Sequence, residues 1–284
     1  MGRIEKALAK ARQSRDTGSD GSVAVRDRQR YEPRQPQPSL HKRPAARHPA
    51  ELANIFSKAA LVTVDPRALV QNRIITHSEV HSARPAYKML RTRLLQRMRA
   101  HGWSSLAVTA AGPGEGKTLT AINLAISLAG EINQRVILVD LDLRRPTISK
   151  YFGFEPQHDL SDYLRGDATL EQILVNPGVD RLAIIPNETV FENSSEMLLL
   201  PRMMQLVDQL RVNDPSWIVI YDMPPLLAAD DTLAFSPYVD ALLFVVSEGE
   251  TRQDAVAQAR ELLKDANVVG TVLNKSQSDN SAYY

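Results

Sequence analysis

The sequence predicts an α/β protein whose mostly parallel sheet carries helices on both faces. Three observations predict it: short apolar runs alternate with helix-length segments, several runs lack polar alternation, and a glycine-rich turn joins the first of them to a helix. The strand candidates are Leu106–Ala110, Val136–Val139, Leu182–Ile185, Trp217–Tyr221, Ala241–Val246 and Val268–Leu273. Helical segments near 118–130, 159–173, 195–212, 228–236 and 252–265 follow them and are long enough to cross between parallel strands. Val136-Ile137-Leu138-Val139 offers solvent no polar side chain on either side, so both faces of such a strand must be covered.

Ahead of this core, Ile4, Ala7, Leu8 and Ala11 recur at helical spacing opposite Arg3, Glu5, Lys6, Lys10 and Arg12, which predicts an amphipathic helix over residues 3–13. It is too short to be stable alone, so the expectation is either that it packs on the chain's own body or on a partner, or that it is a fraying end. Residues 14–50 are rich in Gly, Ser, Gln, Pro and Arg and read as a basic, disordered tether. Helical patterns at 51–59 and 83–100 then open the folded region. The expected organisation is a helix and linker over 1–50, one domain over 51–275 and a flexible tail over 276–284.

Composition narrows the classes. Of 284 residues 43% are hydrophobic and 24% charged, the balance of a globular chain. The formal net charge of +1 gives no reason to expect nucleic acid as a partner. Without cysteine there are no disulfides, thiolate metal sites or cysteine nucleophiles. No apolar run reaches the roughly 20 residues that a membrane-spanning helix needs.

Chemistry enters at Ala111-Gly112-Pro113-Gly114-Glu115-Gly116-Lys117-Thr118, which lies between the first strand and the helix from Leu119. Strand, glycine-rich loop and helix in that order form a P-loop. Backbone N–H groups from Gly112 to Thr118 and the positive helix end at Leu119 solvate a polyphosphate. Lys117 would bridge phosphate oxygens, and the Thr118 hydroxyl would bind magnesium. The strict pattern asks for glycine where Ala111 stands.

Asp140 and Asp142 follow the second strand, and strand periodicity turns them to the same side. Asp222 ends the fourth. In a parallel sheet all strand C-termini share one edge, so topology alone brings these acids to the P-loop. Magnesium needs one or two carboxylates beside Thr118, here Asp142 and Asp222. A remaining acid, Asp140 or Asp142, is free to accept the proton of an attacking hydroxyl. Arg144 and Arg145 come next without a firm role, and Asn274 stands where its amide could read an adenine.

With these motifs the chain resembles the bacterial tyrosine kinases of exopolysaccharide and capsule synthesis. Gly112–Thr118 is similar to their Walker A, Val136–Pro146 to their Walker A′ and Ile218–Pro225 to their Walker B. The Ile4-Glu5-Lys6-Ala7-Leu8 stretch is similar to the subgroup encoded with exosortase-linked loci. MinD and ParA relatives carry a signature lysine where this chain has Gly112.

The resemblance implies a P-loop NTPase fold, ATP and Mg2+ as cofactors, and autophosphorylation of tail tyrosines, here Tyr283 and Tyr284. It also implies a homo-oligomeric ring, a membrane chain-length regulator as partner, and a cytoplasmic position at the inner face of the plasma membrane. The family's Glu-x-x-Arg-x-x-Arg ring pattern falls on Pro85, Lys88 and Arg91 and is matched only at Arg91. The rival expectation is a nucleotide-switch scaffold of the MinD/ParA-like superfamily that hydrolyses ATP without tyrosine transfer.

Overall fold

The computed structural model describes residues 48–75 and 81–276. The 3–13 helix, most of the 14–50 tether and both tail tyrosines lie outside the described residues. An eight-stranded sheet is built from β1 (Ala60–Leu61), β2 (Ser105–Ala110), β3 (Arg135–Asp140), β4 (Val175–Asn176), β5 (Leu182–Ile185), β6 (Trp217–Asp222), β7 (Ala241–Ser247) and β8 (Val268–Asn274). Their spatial order is β1-β4-β5-β3-β6-β2-β7-β8. All six expected strands are present and run parallel from β5 to β8. β4 pairs antiparallel to β5 through Val175 and Ile184, and β1 pairs parallel to β4.

Both faces are buried. Val136 and Leu138 of β3 enter one core with Leu106, Val108, Ile218 and Ile220, while Ile137 and Val139 enter the other with Trp217, Val219 and Tyr221. The first core is roofed by helices Arg84–His101 and Lys117–Ala129, the second by Leu160–Arg165, Pro201–Leu210 and Gln253–Leu262. Trp217 is 2% exposed and meets Phe56 edge-on at 5.3 Å, which pins the Pro49–Ser57 helix to the second core.

Two expected helices are divided, each for a local reason. The 159–173 segment breaks at Gly166, where φ is +95°, into Leu160–Arg165 and Leu170–Ile173. Asp159 and Asp162 form a capping box at its start. The 195–212 segment breaks before Pro201, which lacks the N–H to continue a helix but suits the first position of a new one. Pro49 opens the first described helix, which therefore starts inside the stretch read as tether. Among the described residues no helix is long and apolar enough to cross a membrane.

Candidate functional site

The turn after β2 owes its path to Gly114 and Gly116, whose φ values of +78° and +89° lie in the left-handed region. At Gly116 space is also closed, because a Cβ there would stand 2.0 Å from Asn274 Nδ2. That nitrogen donates to the Glu115 carbonyl at 2.9 Å, so the end of β8 fastens the turn. One of the two amide N–H groups of Asn274, the residue expected to read an adenine, is thus given to the loop itself. Glu115 folds back, and its carboxylate accepts from the Ala111 and Gly112 N–H groups at 3.1 Å each. Ala111 is fully buried without positive φ, so alanine fits where the strict pattern asks for glycine. Pro113 and Gly114 are exposed at the tip, and Leu119 lies half-buried in the first helical turn.

The acids converge here because the register places Asp140 of β3 directly beside Asp222 of β6, which neighbours Val108 of β2. Lys117 Nζ lies 2.8 Å from Asp142 Oδ2 and 3.3 Å from Asp222 Oδ1. Thr118 Oγ1 donates to Asp222 Oδ2 at 2.6 Å. Asp140 is differently engaged: its Oδ2 accepts from the Thr147 and Ile148 N–H groups at 3.0 and 2.9 Å, and its Oδ1 from Asp142 N–H at 3.3 Å. It braces the loop after β3 and the Ile148–Phe152 helix. Asp142 Oδ1 accepts from Arg145 N–H at 3.1 Å, closing the turn that carries it.

Three buried carboxylates surround one ammonium, and the electrostatics follow. Burial, and next the Asp222 charge, push Asp140 up to about 8. Burial also raises Asp222, against the downward pull of Lys117 and Thr118. For Lys117, burial disfavours the charge, but Asp222 and Asp142 outweigh it and the group is raised. The Thr118 hydroxyl and the two carboxylates form an oxygen-only donor set. Thr118 Oγ1 and Asp222 Oδ2, 2.6 Å apart, stand close to the separation of about 3 Å between adjacent ligands of an octahedral ion with bonds near 2.1 Å. The set fits magnesium.

Sequence reasoning missed one cluster near this edge. Asp231 is fully buried, and its carboxylate faces Arg144 Nε at 3.4 Å. The same Nε–H donates to Ser194 Oγ at 2.8 Å. Asp231 follows Asp230 at the start of a helix, so its only signal in the sequence was that of an ordinary helix-start acid.

A glycine-rich turn feeding a helix, with a lysine, a threonine and two aspartates at hydrogen-bonding distance on the carboxyl edge of a parallel sheet, defines a P-loop nucleotide-binding protein. Residues 106–283 match the family model described as the CobQ/CobB/MinD/ParA nucleotide binding domain. Tyrosine-protein kinase YwqD of Bacillus subtilis (strain 168) is 30% identical over 219 residues, covering 75% of this chain and 91% of that protein. Tyrosine-protein kinase Etk of Escherichia coli (strain K12) is 33% identical over 195 residues, covering 68% of this chain but 26% of that protein. Among solved structures, the kinase domain of Escherichia coli Etk aligns with a TM-score of 0.63 at 30% identity, covering 73% of this chain and 83% of that one. The VpsO kinase domain aligns with a TM-score of 0.59 at 28% identity, covering 68% and 96%. The chain belongs to the bacterial tyrosine-protein kinases, a branch of the CobQ/CobB/MinD/ParA nucleotide-binding family. It spans about a quarter of the length of Etk and of several other curated relatives.

Proposed function

We propose that this chain is an ATP- and magnesium-dependent protein-tyrosine autokinase serving exopolysaccharide or capsule synthesis, with Tyr283 and Tyr284 as its acceptors. The observation that carries this reading is the meeting of Lys117, Thr118, Asp142 and Asp222 beside the P-loop, with Lys117 Nζ 2.8 Å from Asp142 and Thr118 Oγ1 2.6 Å from Asp222.

Each residue then has a task. Backbone N–H groups of Gly114–Leu119 hold the polyphosphate, with Gly112 and Pro113 shaping the turn, a job that the Glu115 and Asn274 bonds prepare by fixing the turn beforehand. Lys117 leaves its carboxylates to orient the transferable phosphate. Thr118 and Asp222, with Asp142 beside them, would hold magnesium, which when bound neutralises charge developing on the phosphoryl group. Asp142 is the better placed of the two candidate bases: it retains 5% exposure and one of its oxygens pairs with the mobile end of Lys117, whereas Asp140 retains none and both its oxygens are held by backbone N–H groups. It takes the proton of the tyrosyl hydroxyl. Phosphoryl transfer needs positioning and charge stabilisation more than covalent catalysis, so this small set is sufficient.

The assembly we infer is a homo-oligomer working with a membrane chain-length regulator at the cytoplasmic face of the plasma membrane. Arg91, the one match to the family's ring pattern, is engaged within the chain: it reaches Glu131 at 2.6 Å and donates to the Ser127 carbonyl at 3.0 Å. A ring through that residue requires these bonds to be exchanged. Incubating the purified chain with ATP and magnesium and mapping phosphotyrosine by mass spectrometry tests the activity. Modified Tyr283 or Tyr284 in the native chain and none in Lys117→Met is the expected result. An unmodified native chain, or a modified Lys117→Met chain, overturns it.

A further inference from the structure

We infer that Arg144 is an acceptor-recognition residue that binds an acidic side chain of the incoming tyrosine peptide, and that Asp231 and Ser194 are the positioning residues that aim it. The inference rests on the kinase reading and supplies the substrate class for that site.

Arg144 lies in the turn Asp142–Arg145, which is closed by Arg145 N–H on the Asp142 carbonyl at 3.0 Å, so its Cα shares the rim with the acid expected to deprotonate the acceptor. Its guanidinium is two-sided. The Nε edge faces inward, bonded to Ser194 and lying beside the Asp231 carboxylate. The side chain is 41% exposed, and its terminal amino groups have no partner among the described residues. Asp231 is the unusual member: its side chain is completely buried, and neither oxygen accepts a hydrogen bond. A carboxylate in that position is costly unless a fixed cation stands over it. It therefore holds the arginine in one rotamer while contributing nothing to its outward face.

An arginine fixed at Nε presents a planar pair of N–H groups that suits a carboxylate, and little rotamer freedom remains to be lost on binding. The nearby Asp142 carboxylate disfavours an acidic side chain at the centre of the site, so the outward face of Arg144 is the place on this turn where such a side chain gains a charge-assisted pair. Arg144 thus selects both an acidic acceptor and its register. The proposed acceptor segment Ser276–Tyr284 carries one acid, Asp279, four residues before Tyr283.

The test uses the full chain carrying Tyr283→Phe and Tyr284→Phe, with two C-terminally amidated peptides of the 276–284 sequence, one native and one with Asp279→Asn. Phosphotransfer gives KM, and fluorescence anisotropy of the labelled peptides gives affinity without requiring catalysis. The background chain should prefer the native peptide about tenfold, the effect of one charge-assisted hydrogen-bonded pair. Arg144→Gln should bring the ratio to about one. Asp231→Asn should reduce it part-way, because the fork is then less firmly held. Since Arg144→Gln leaves a buried carboxylate uncompensated and is expected to lower the melting temperature, the double variant Arg144→Gln/Asp231→Asn supplies the control. It should recover stability without recovering the preference. Equal affinity for the two peptides in the background chain, or a preference that persists in the double variant, overturns the inference. If neither peptide is phosphorylated, the kinase reading fails, and the anisotropy ratio alone decides whether Arg144 reads the acid.

Discussion

At the scale of single residues, the two positive-φ glycines of the turn separate two costs that a glycine-rich motif confounds. Gly114 has nothing within 4 Å of an added Cβ, so Gly114→Ala meets only backbone strain, on the order of 1 kcal/mol. Gly116→Ala meets the same strain and also drives a methyl into Asn274 Nδ2, breaking the bond that fastens the turn to β8. Nucleotide affinity measured by calorimetry should fall severalfold in the first variant and at least a further tenfold in the second. Equal losses in the two would show that the Asn274 contact is dispensable. A related contrast divides the acids after β3. Asp142→Asn should abolish phosphotransfer with little loss of stability, whereas Asp140→Ala orphans three N–H groups, at about 1–3 kcal/mol for each that stays dry, and should lower the melting temperature first.

At the scale of elements, the central strands were legible because burial on both faces leaves short apolar runs between helix-length segments: β3 and β6 read as such runs ending in aspartate. Their carboxyl edge was legible for the same reason, since parallel topology needs no side-chain information to gather Asp140, Asp142 and Asp222. What the sequence hid was short or tertiary. β1 and β4 have two residues each and carry no periodicity, and Arg144, Ser194 and Asp231 meet only because three separate connections reach one corner. The Leu160–Arg165 helix illustrates how a local signal can be tested. Burial alone would raise Asp162, but the Asp159 N–H, Arg165 and His158 hold it below its ordinary value. A depressed carboxylate contributes stability above its unfolded value near 3.9, and that contribution disappears as pH falls through the folded one. Asp162→Ala should therefore cost about 1 kcal/mol in urea unfolding at pH 7, as cap losses do, and the difference should shrink toward zero near pH 3. A cost independent of pH would assign the effect to packing instead.

At the scale of the whole molecule, the site is a junction rather than a pocket in one element. Its residues arrive from β2, β3, β6 and β8 through the P-loop, the Asp142 turn, Asp222 and Asn274, and Lys117 is the cation that joins Asp142 and Asp222 at the centre. A ligand that joins these four strand ends stabilises the folded chain by mass action: about 2.7 kcal/mol when free ligand is a hundred times its Kd. In a domain of this size each kcal/mol moves the melting temperature by about 2–4 °C, so a non-hydrolysable ATP analogue with magnesium should raise it by roughly 5–10 °C. Omitting magnesium should remove most of the shift, because the nucleotide's charge then faces Asp142 and Asp222 without a counter-ion. Asp222→Asn should behave differently from the native chain in both conditions. It relieves one of the buried like charges, so the nucleotide-free variant should melt no lower, and it loses a magnesium ligand, so the added shift with magnesium should shrink to the level seen without it. A full magnesium-dependent shift in Asp222→Asn would move the cation site off β6, and with it the reason for the register that sets Asp222 beside Asp140.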